Sequence, residues 1–141
     1  MDVEIDELSK KNDHCKRLLE VPGIGRLTAS ALVASVGNGA AFTSARQFSA
    51  WLGLVPRQHS SGGKQRLLGV SKRGDVYLRK LLIHGARAVV KHMNPKRMTT
   101  PWLRQLSERA HPNVVIVALA NKLARIAWSM LRSEQRYCEA I

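Results

Sequence analysis

The eight residues HSSGGKQR, at positions 59–66, bring together two hydroxyls, an imidazole and two fixed cations. Transfer of a phosphoryl group to serine needs an exposed hydroxyl, a means of removing its proton, and cations around the five-coordinate phosphorus. Ser60 and Ser61 carry the hydroxyls, and His59 is a candidate acid or base. Cations that could hold the phosphate surround them: Arg57, Lys64, Arg66, Lys72, Arg73 and Arg79. The loop thus holds the groups that a serine attack on a phosphate requires.

The same loop also has a simpler interpretation. Ser-Ser-Gly-Gly is common in linker turns, and basic loops usually hold backbone phosphates without doing chemistry. Composition alone leaves both interpretations open. It also does not separate Ser60 from Ser61, because the two hydroxyls lie in one loop.

A second motif, VPGIG at positions 21–25, separates two segments with helical patterning. This spacing is typical of a helix-hairpin-helix, in which backbone N–H groups at a helix N-terminus point at a phosphate. Gly23 and Gly25 would let a DNA backbone come close, because neither has a side chain. Arg26 and Thr28 are placed to add a charge and a hydroxyl. The alternative is a turn that only packs two helices together.

The charge of the chain is large and unevenly distributed. The net charge is +13 on 141 residues, and such an excess usually indicates a polyanionic partner, nucleic acid before acidic membrane. Between Arg57 and Arg104 there are twelve basic residues and a single acid, Asp75. We expect a polyanion to lie along this central block. We expect no membrane partner, because a span would need about 18 uncharged apolar residues.

Acidic residues are too few and too scattered for a metal-dependent nuclease site. A two-metal site needs several carboxylates that converge on Mg²⁺. Six of the ten acids lie in the first twenty positions, and the later ones are Asp75, Glu108, Glu134 and Glu139. The histidines show no metal-binding spacing, so we expect no metal or other cofactor in this chain. Cys15 and Cys138 are interpreted as free thiols in a reducing cytoplasm.

The hydrophobic periodicity predicts a mainly α fold, with a helix-hairpin-helix unit, further packed helices and one hairpin-like loop insertion at 56–71. The helix after the VPGIG turn carries Leu27, Ala31 and residues 33–36, and Gly37-Asn38-Gly39 is expected to end it. Thr43 or Ser44 is expected to cap a short third helix.

Three more helices are predicted in the second half of the chain. The first has Gly74-Asp75 as its N-cap and a buried stripe at Leu78, Leu81, Leu82, Gly85 and Val89. The second begins at Pro101. The last and strongest, within 111–137, has an apolar side formed by Ile116, Leu119, Leu123, Ile126 or Ala127, and Met130.

Three stretches together resemble a known family. They are LLEVPGIGRLTASALVASVG, then FTSARQFSAWLGLVPRQHSSGGKQRLLGVSKRGDVYLRKLLIHGARA, and VALANKLARIAWSML. They are similar to the C-terminal transposase domain of the Piv-like insertion-sequence transposases, recombinases associated with a bridge RNA. The likeness runs from about Leu18 to Tyr137, in order and without evident gaps.

The resemblance implies that the serine of the SSG motif is a nucleophile that forms a covalent link to DNA. By motif this is Ser61, which precedes Gly62, with Ser60 as the close second. Family members also carry an N-terminal RuvC-like domain with four acidic residues, where Mg²⁺ is expected, joined through a coiled coil. Residues 1–17 would then be the end of that coiled coil, and residues 18–141 the helix-hairpin-helix-containing domain. We therefore expect a fragment or truncated copy, inactive in strand exchange alone.

The partners implied by the resemblance are DNA, a guide (bridge) RNA and further copies of the chain in a dimer or tetramer, in a prokaryotic cytoplasm at the nucleoid. Two other hypotheses stay open. One is a non-catalytic helix-hairpin-helix module that only grips DNA or RNA backbone. The other is a truncated copy retained for oligomerisation.

Overall fold

The computed structural model describes residues 13–54, 72–92, 101–133 and 137. All regular structure within these ranges is helical, which confirms the predicted mainly α fold. The helices, here numbered α1 to α6, are Asp13–Leu18, Arg26–Val36, Ala45–Trp51, Lys72–Lys91, Pro101–Arg109 and Pro112–Ser133. The predicted hairpin-like insertion at 56–71 lies outside the described residues.

Helix α6 is the centre of the core. It packs against α4, α3, α1 and α5, and its contact with α4 is the most extensive between described helices. Its buried side follows the predicted stripe. The sequence left a choice between Ile126 and Ala127, and in the structure Ala127 is fully buried while Ile126 is half-buried. Apolar residues that recur at the helical period form one apolar side, which must be buried. Here four neighbouring helices cover it.

The length and composition of α6 also correct an expectation about membranes. By those criteria alone this helix could cross a bilayer, although no such segment was expected. Half of its apolar window is buried inside the protein. Lys122 and Arg125 lie within this helix. The core helix of a packed domain satisfies the same criteria of length and apolar composition.

The turn between α1 and α2 is a tight one. The Ile24 N–H donates to the Val21 carbonyl at 3.1 Å, with Pro22 and Gly23 between them. Gly23 has a φ of 92°, the left-handed value that the third position of a type II turn requires. The buried Cys15 thiol of α1 donates to the Ala29 carbonyl of α2 at 3.8 Å, so the packed core includes part of the segment interpreted as a linker.

A capping arrangement fixes the start of α3. The Ser44 hydroxyl accepts from the Gln47 N–H at 3.1 Å, and the Gln47 side chain accepts from the Thr43 N–H in return. This reciprocal pair satisfies donors that the first helical turn leaves open. Ser44 is therefore the cap, one of the two residues that the sequence offered.

One local prediction, the N-cap of α4, is wrong. Helix α4 begins at Lys72, so Gly74 and Asp75 lie inside its first turns and do not form its N-cap. Helix α2 buries Ala29, Leu32 and the polar Thr28, whereas Leu27 is 47% exposed. The buried stripe of α4 is largely as predicted, since Leu78 and Leu82 are fully buried. Ala86, which was not predicted, is also fully buried. The other predicted members are half-buried: Leu81, Gly85 and Val89.

Candidate nucleic-acid interface

The VPGIG turn lies directly on the middle of α4. A Cβ added at Gly85 would overlap the carbonyl oxygen of Gly23. A Cβ at Gly23 would in turn meet Leu123 at 3.0 Å and Val89 at 3.1 Å. The space beside Gly23 is therefore filled by the protein itself, so its missing side chain serves packing between the turn and α4. A glycine in a helix interior costs about 1 kcal/mol relative to alanine, and at Gly85 the close approach explains it.

Gly25, by contrast, faces open space at the N-terminus of α2. It is exposed, and a Cβ there would meet nothing within 4 Å. It is the N-cap residue, and no side chain caps the helix. The next two residues, Arg26 and Leu27, are exposed as well, and the first turn contains no acid. A helix N-terminus of this kind, with a partial positive charge and an accessible backbone, suits an anion.

The structure brings together only some of the predicted contacts around this turn. Gly25 and Arg26 share the exposed surface at the start of α2. Thr28 does not join them, because it is only 6% exposed and lies on the core side of the helix. Its hydroxyl is not presented to an approaching phosphate, which corrects the expectation made from spacing alone.

Arg79 of α4 covers the end of α3. Its Nη1 lies 2.9 Å from the position of a Cβ at Gly53, and its Cδ lies 3.8 Å from that position. Gly53 has a φ of 75° and is exposed, so the arginine lies over a left-handed turn that has no side chain of its own. Two residues later the chain enters the segment that carries the serines. The Arg79 guanidinium thus lies over Gly53, which is six positions before His59 in the sequence.

The remaining predicted site residues cannot be placed relative to Arg79. Arg57, His59, Ser60, Ser61, Lys64 and Arg66 lie outside the described residues. Lys72 and Arg73 form the start of α4, and their side chains also lie outside the described part. Their assignments stay predictions.

Sequence reasoning did not predict the contacts of Gly53 and Gly85. Gly53 lies against Arg79, and Gly85 lies against Gly23. Gly53 follows a helical segment in AWLGL, where a helix C-cap glycine is ordinary, and nothing in the sequence pairs it with Arg79. Gly85 was placed on the buried stripe of α4, but its contact with Gly23 spans more than sixty positions. The one usable signal was a glycine in the interior of a helix.

Two cations lie close together on α6 near α5. The Lys122 ammonium is 4.3 Å from the centre of the Trp102 ring, a cation–π contact. Burial lowers the pKa of Lys122, and the positive charge of Arg125 lowers it further. Burial also raises the pKa of the Cys15 thiol, which makes it a poorer nucleophile. In the described ranges, no three His, Cys, Asp or Glu side chains come together as a metal site would require.

Comparison with known proteins defines the class to which these features belong. The model of the Transposase IS116/IS110/IS902 family matches residues 15–102. The chain is 58% identical over 123 residues to a probable family 20 transposase of Pseudomonas aeruginosa, which covers 86% of this chain. It is 50% identical over 135 residues, 95% of this chain, to the transposase for insertion sequence element IS1111A of Coxiella burnetii. A pilin gene-inverting protein of Moraxella bovis is 28% identical over 134 residues, 92% of this chain.

The chain therefore belongs to the IS116/IS110/IS902 family of transposases. This confirms the resemblance inferred from the three sequence stretches. The match spans 36% of the Pseudomonas relative, 37% of the Coxiella relative and 40% of the Moraxella protein, so the chain corresponds to little more than a third of these proteins.

Proposed function

We propose that this chain is the serine-bearing, DNA-binding domain of an insertion-sequence transposase that cleaves and exchanges DNA strands. The observation that carries the proposal is the family match over residues 15–102, which includes the VPGIG turn, the HSSGGKQR loop and α4. A relative named as a transposase aligns with 95% of this chain, and one named as a pilin gene-inverting protein aligns with 92% of it. Both names describe rearrangement of DNA.

The proposed reaction is attack of the Ser61 hydroxyl oxygen on a DNA phosphorus. A serine–phosphorus bond forms, the bond from phosphorus to one sugar oxygen breaks, and the serine proton passes to a base such as His59. The released sugar oxygen takes a proton and later attacks the serine phosphodiester, which rejoins DNA and restores the hydroxyl. Ser60 is the alternative nucleophile. The number of bonds to phosphorus is conserved, so no oxidant or external energy source is needed.

Cations around the phosphate would stabilise the charge that develops on its oxygens. Arg79 is a candidate for this role, because its guanidinium lies over Gly53, six positions before His59 in the sequence. Gly25 and Arg26, exposed at the start of α2, would contact backbone phosphate away from the reacting bond. These contacts would position the DNA without reading its sequence.

The proposed enzyme is complete only with other components. A separate RuvC-like domain would supply acidic residues and Mg²⁺, because the acids of this chain are scattered. A guide RNA and a dimer or tetramer of the chain would bring two DNA duplexes together, in the prokaryotic cytoplasm at the nucleoid. The fragment alone would bind nucleic acid and be inactive, or nearly so, in strand exchange.

The experiment that tests the chemistry uses a full-length relative that contains this domain. It is incubated with its insertion-sequence junction DNA, Mg²⁺ and its RNA, and DNA-linked peptides are mapped by mass spectrometry. A nucleotide on the residue corresponding to Ser61 supports the proposal, and one on Ser60 keeps the mechanism with the other nucleophile. Normal recombination without any adduct would overturn it. The substitution Ser61→Ala should then abolish recombination while leaving DNA affinity unchanged.

A second function remains in competition, a helix-hairpin-helix module that only grips DNA or RNA backbone. The observation that favours it is the uncapped, exposed N-terminus of α2 beside Arg26, which suffices for binding without chemistry. Under this alternative, Ser61→Ala would change neither affinity nor recombination.

A further inference from the structure

One face of α4 carries three cations, Lys80, Arg87 and Lys91, along most of its length. Lys80, His84, Arg87 and Lys91 are all exposed, and Tyr77 at the start of this row is 47% exposed. Their spacing of three or four residues places them within about 80° of the helix circumference, along about 21 Å of its axis. We call these five residues the α4 basic face.

Negative charge lies on the other side of this helix. Asp75 is the single acid of the α4 sequence, and it lies about 180° around the helix from His84. It is half-buried on the side of Leu78 and Leu82, the fully buried residues that pack into the core. The α4 basic face therefore has no acid of its own helix to neutralise it.

This arrangement differs from that of an ordinary solvated surface. Surfaces that serve solubility mix both signs of charge, whereas a single-sign row raises the self-repulsion of the folded state. Such a row is stabilised when a polyanion lies along it and releases its condensed counterions. Tyr77 adds an exposed ring with a hydroxyl, which can donate to a phosphate oxygen.

The location of the face within the fold indicates the occupant. Helix α4 follows the serine loop directly in the chain, and it also packs against the VPGIG turn through Gly85 and Gly23. Gly85 lies about 120° around the helix from the centre of the α4 basic face, so a duplex on this face would lie on a different side of α4 from the VPGIG turn. A row of exposed lysine and arginine side chains along one helix face suits contacts with backbone phosphates.

We propose that the α4 basic face is a docking surface for the phosphate backbone of duplex DNA, separate from the contact at the start of α2. The choice of DNA as occupant rests on the proposed function. The surface itself rests on exposure and charge, and therefore stands or fails independently of the serine chemistry.

The test measures DNA affinity of the 141-residue chain against salt concentration, with a 25-base-pair duplex of arbitrary sequence. The variant Lys80→Gln/Arg87→Gln/Lys91→Gln removes three cations from the face. The matched control, Arg104→Gln/Arg109→Gln/Arg125→Gln, removes three exposed cations from α5 and α6. Circular dichroism and thermal unfolding check that both triple variants are folded.

Three lost phosphate contacts should reduce the slope of log affinity against log salt by about 2.7, since each contributes about 0.9. Between 50 and 200 mM salt the wild-type chain should then lose about 40-fold more affinity than the face variant. The control variant should keep a slope close to that of wild type.

Equal slopes for the two triple variants would show a general charge effect and overturn the proposal. A face variant that loses affinity for duplex RNA but keeps it for duplex DNA would also overturn it. The serine chemistry has a different readout, the peptide adduct, so a missing adduct with the expected slopes would refute only the proposed reaction.

Discussion

Gly85 of α4 and Gly23 of the VPGIG turn touch backbone to backbone, with no room for a Cβ at Gly85. The two glycines join the turn that is proposed to hold DNA backbone to the helix that follows the serine loop. Any movement of one element is therefore transmitted to the other through main-chain contact.

The substitution Gly85→Ala should destabilise the protein. The new methyl group would overlap the Gly23 carbonyl, and because both partners are backbone, the helix and turn must separate. Overpacking of this kind costs about 1–3 kcal/mol. Alanine is favoured over glycine inside a helix by about 1 kcal/mol, so the net loss of stability should be up to about 2 kcal/mol. Urea unfolding at equilibrium measures the change.

Gly25→Ala is the matched control, because a Cβ at Gly25 meets nothing within 4 Å and its φ of −92° is open to alanine. Because Gly25 is the N-cap of α2, where alanine is less favourable than glycine, its stability should fall by about 0.5–1 kcal/mol without any steric overlap. Its DNA affinity should nevertheless fall by about tenfold if a phosphate approaches there, the equivalent of one charged hydrogen bond. Unchanged stability in Gly85→Ala would refute the packing argument.

Gly53→Ala should weaken DNA binding through Arg79. The added Cβ would lie 2.9 Å from Nη1, and the guanidinium, as the end of a flexible side chain, would move away. Alanine at a φ of 75° also strains the backbone by about 1–2 kcal/mol. Stability and DNA affinity are measured together, by unfolding and by fluorescence anisotropy.

Gly37→Ala separates these two effects. Gly37 also has a positive φ, 57°, but a Cβ there meets nothing within 4 Å. Gly37→Ala should lose at least as much stability, because its ψ of −122° lies outside the left-handed helical region, and only Gly53→Ala should lose affinity. A similar loss of affinity in both would mean that backbone strain, and not the displaced arginine, is responsible.

Trp128→Phe should cost about 0.5–1.5 kcal/mol of stability. The indole N–H donates to the Gly39 carbonyl at 3.0 Å and ties the loop between α2 and α3 to α6. Phenylalanine keeps a ring but removes this donor, so the carbonyl of the buried Gly39 retains only its hydrogen bond from the Phe42 N–H at 3.2 Å. Trp51→Phe, within the cluster of Phe42 and Phe48, is the control for the lost ring area. An equal cost at both positions would assign the effect to packing alone.

Lys122 should make stability rise with pH in the alkaline range. Burial lowers its pKa in the folded state, and Arg125 lowers it further, so the unfolded chain binds this proton more tightly. Stability therefore increases as the pH rises from the lowered folded pKa towards the ordinary lysine value. The difference in unfolding free energy between wild type and Lys122→Met should grow in favour of wild type over this window. A difference independent of pH would contradict the lowered pKa.

Sequence reasoning was most successful where a periodic pattern was long. The 22 residues of α6 contain enough turns to define one apolar side, and only the choice between Ile126 and Ala127 needed the neighbouring helices. In the 11-residue α2, apolar residues occur on several sides, so the pattern did not decide between Leu27 and Thr28. At the start of α4, Gly74-Asp75 resembled a turn, but a helix tolerates both residues in its first turns when tertiary packing supports it.

The candidate site was predictable in its residue types but not in its geometry. Motif and charge singled out Arg79 and Gly25, and both are accessible at least in part. That Arg79 lies on Gly53, or that Gly23 serves packing, depends on contacts between residues far apart in the chain. Such contacts follow from how helices meet, which no single segment encodes.

The central place of α6 has a consequence for synthesis of the protein. Helices α1, α3, α4 and α5 all precede α6 in the chain and all rest on it. While the chain emerges from the ribosome, α3, α4 and α5 lack their principal partner until about residue 133 has been made. Their apolar sides are exposed to chaperones or to other nascent chains during that interval, and a transcript broken before the α6 codons would yield a chain without its core.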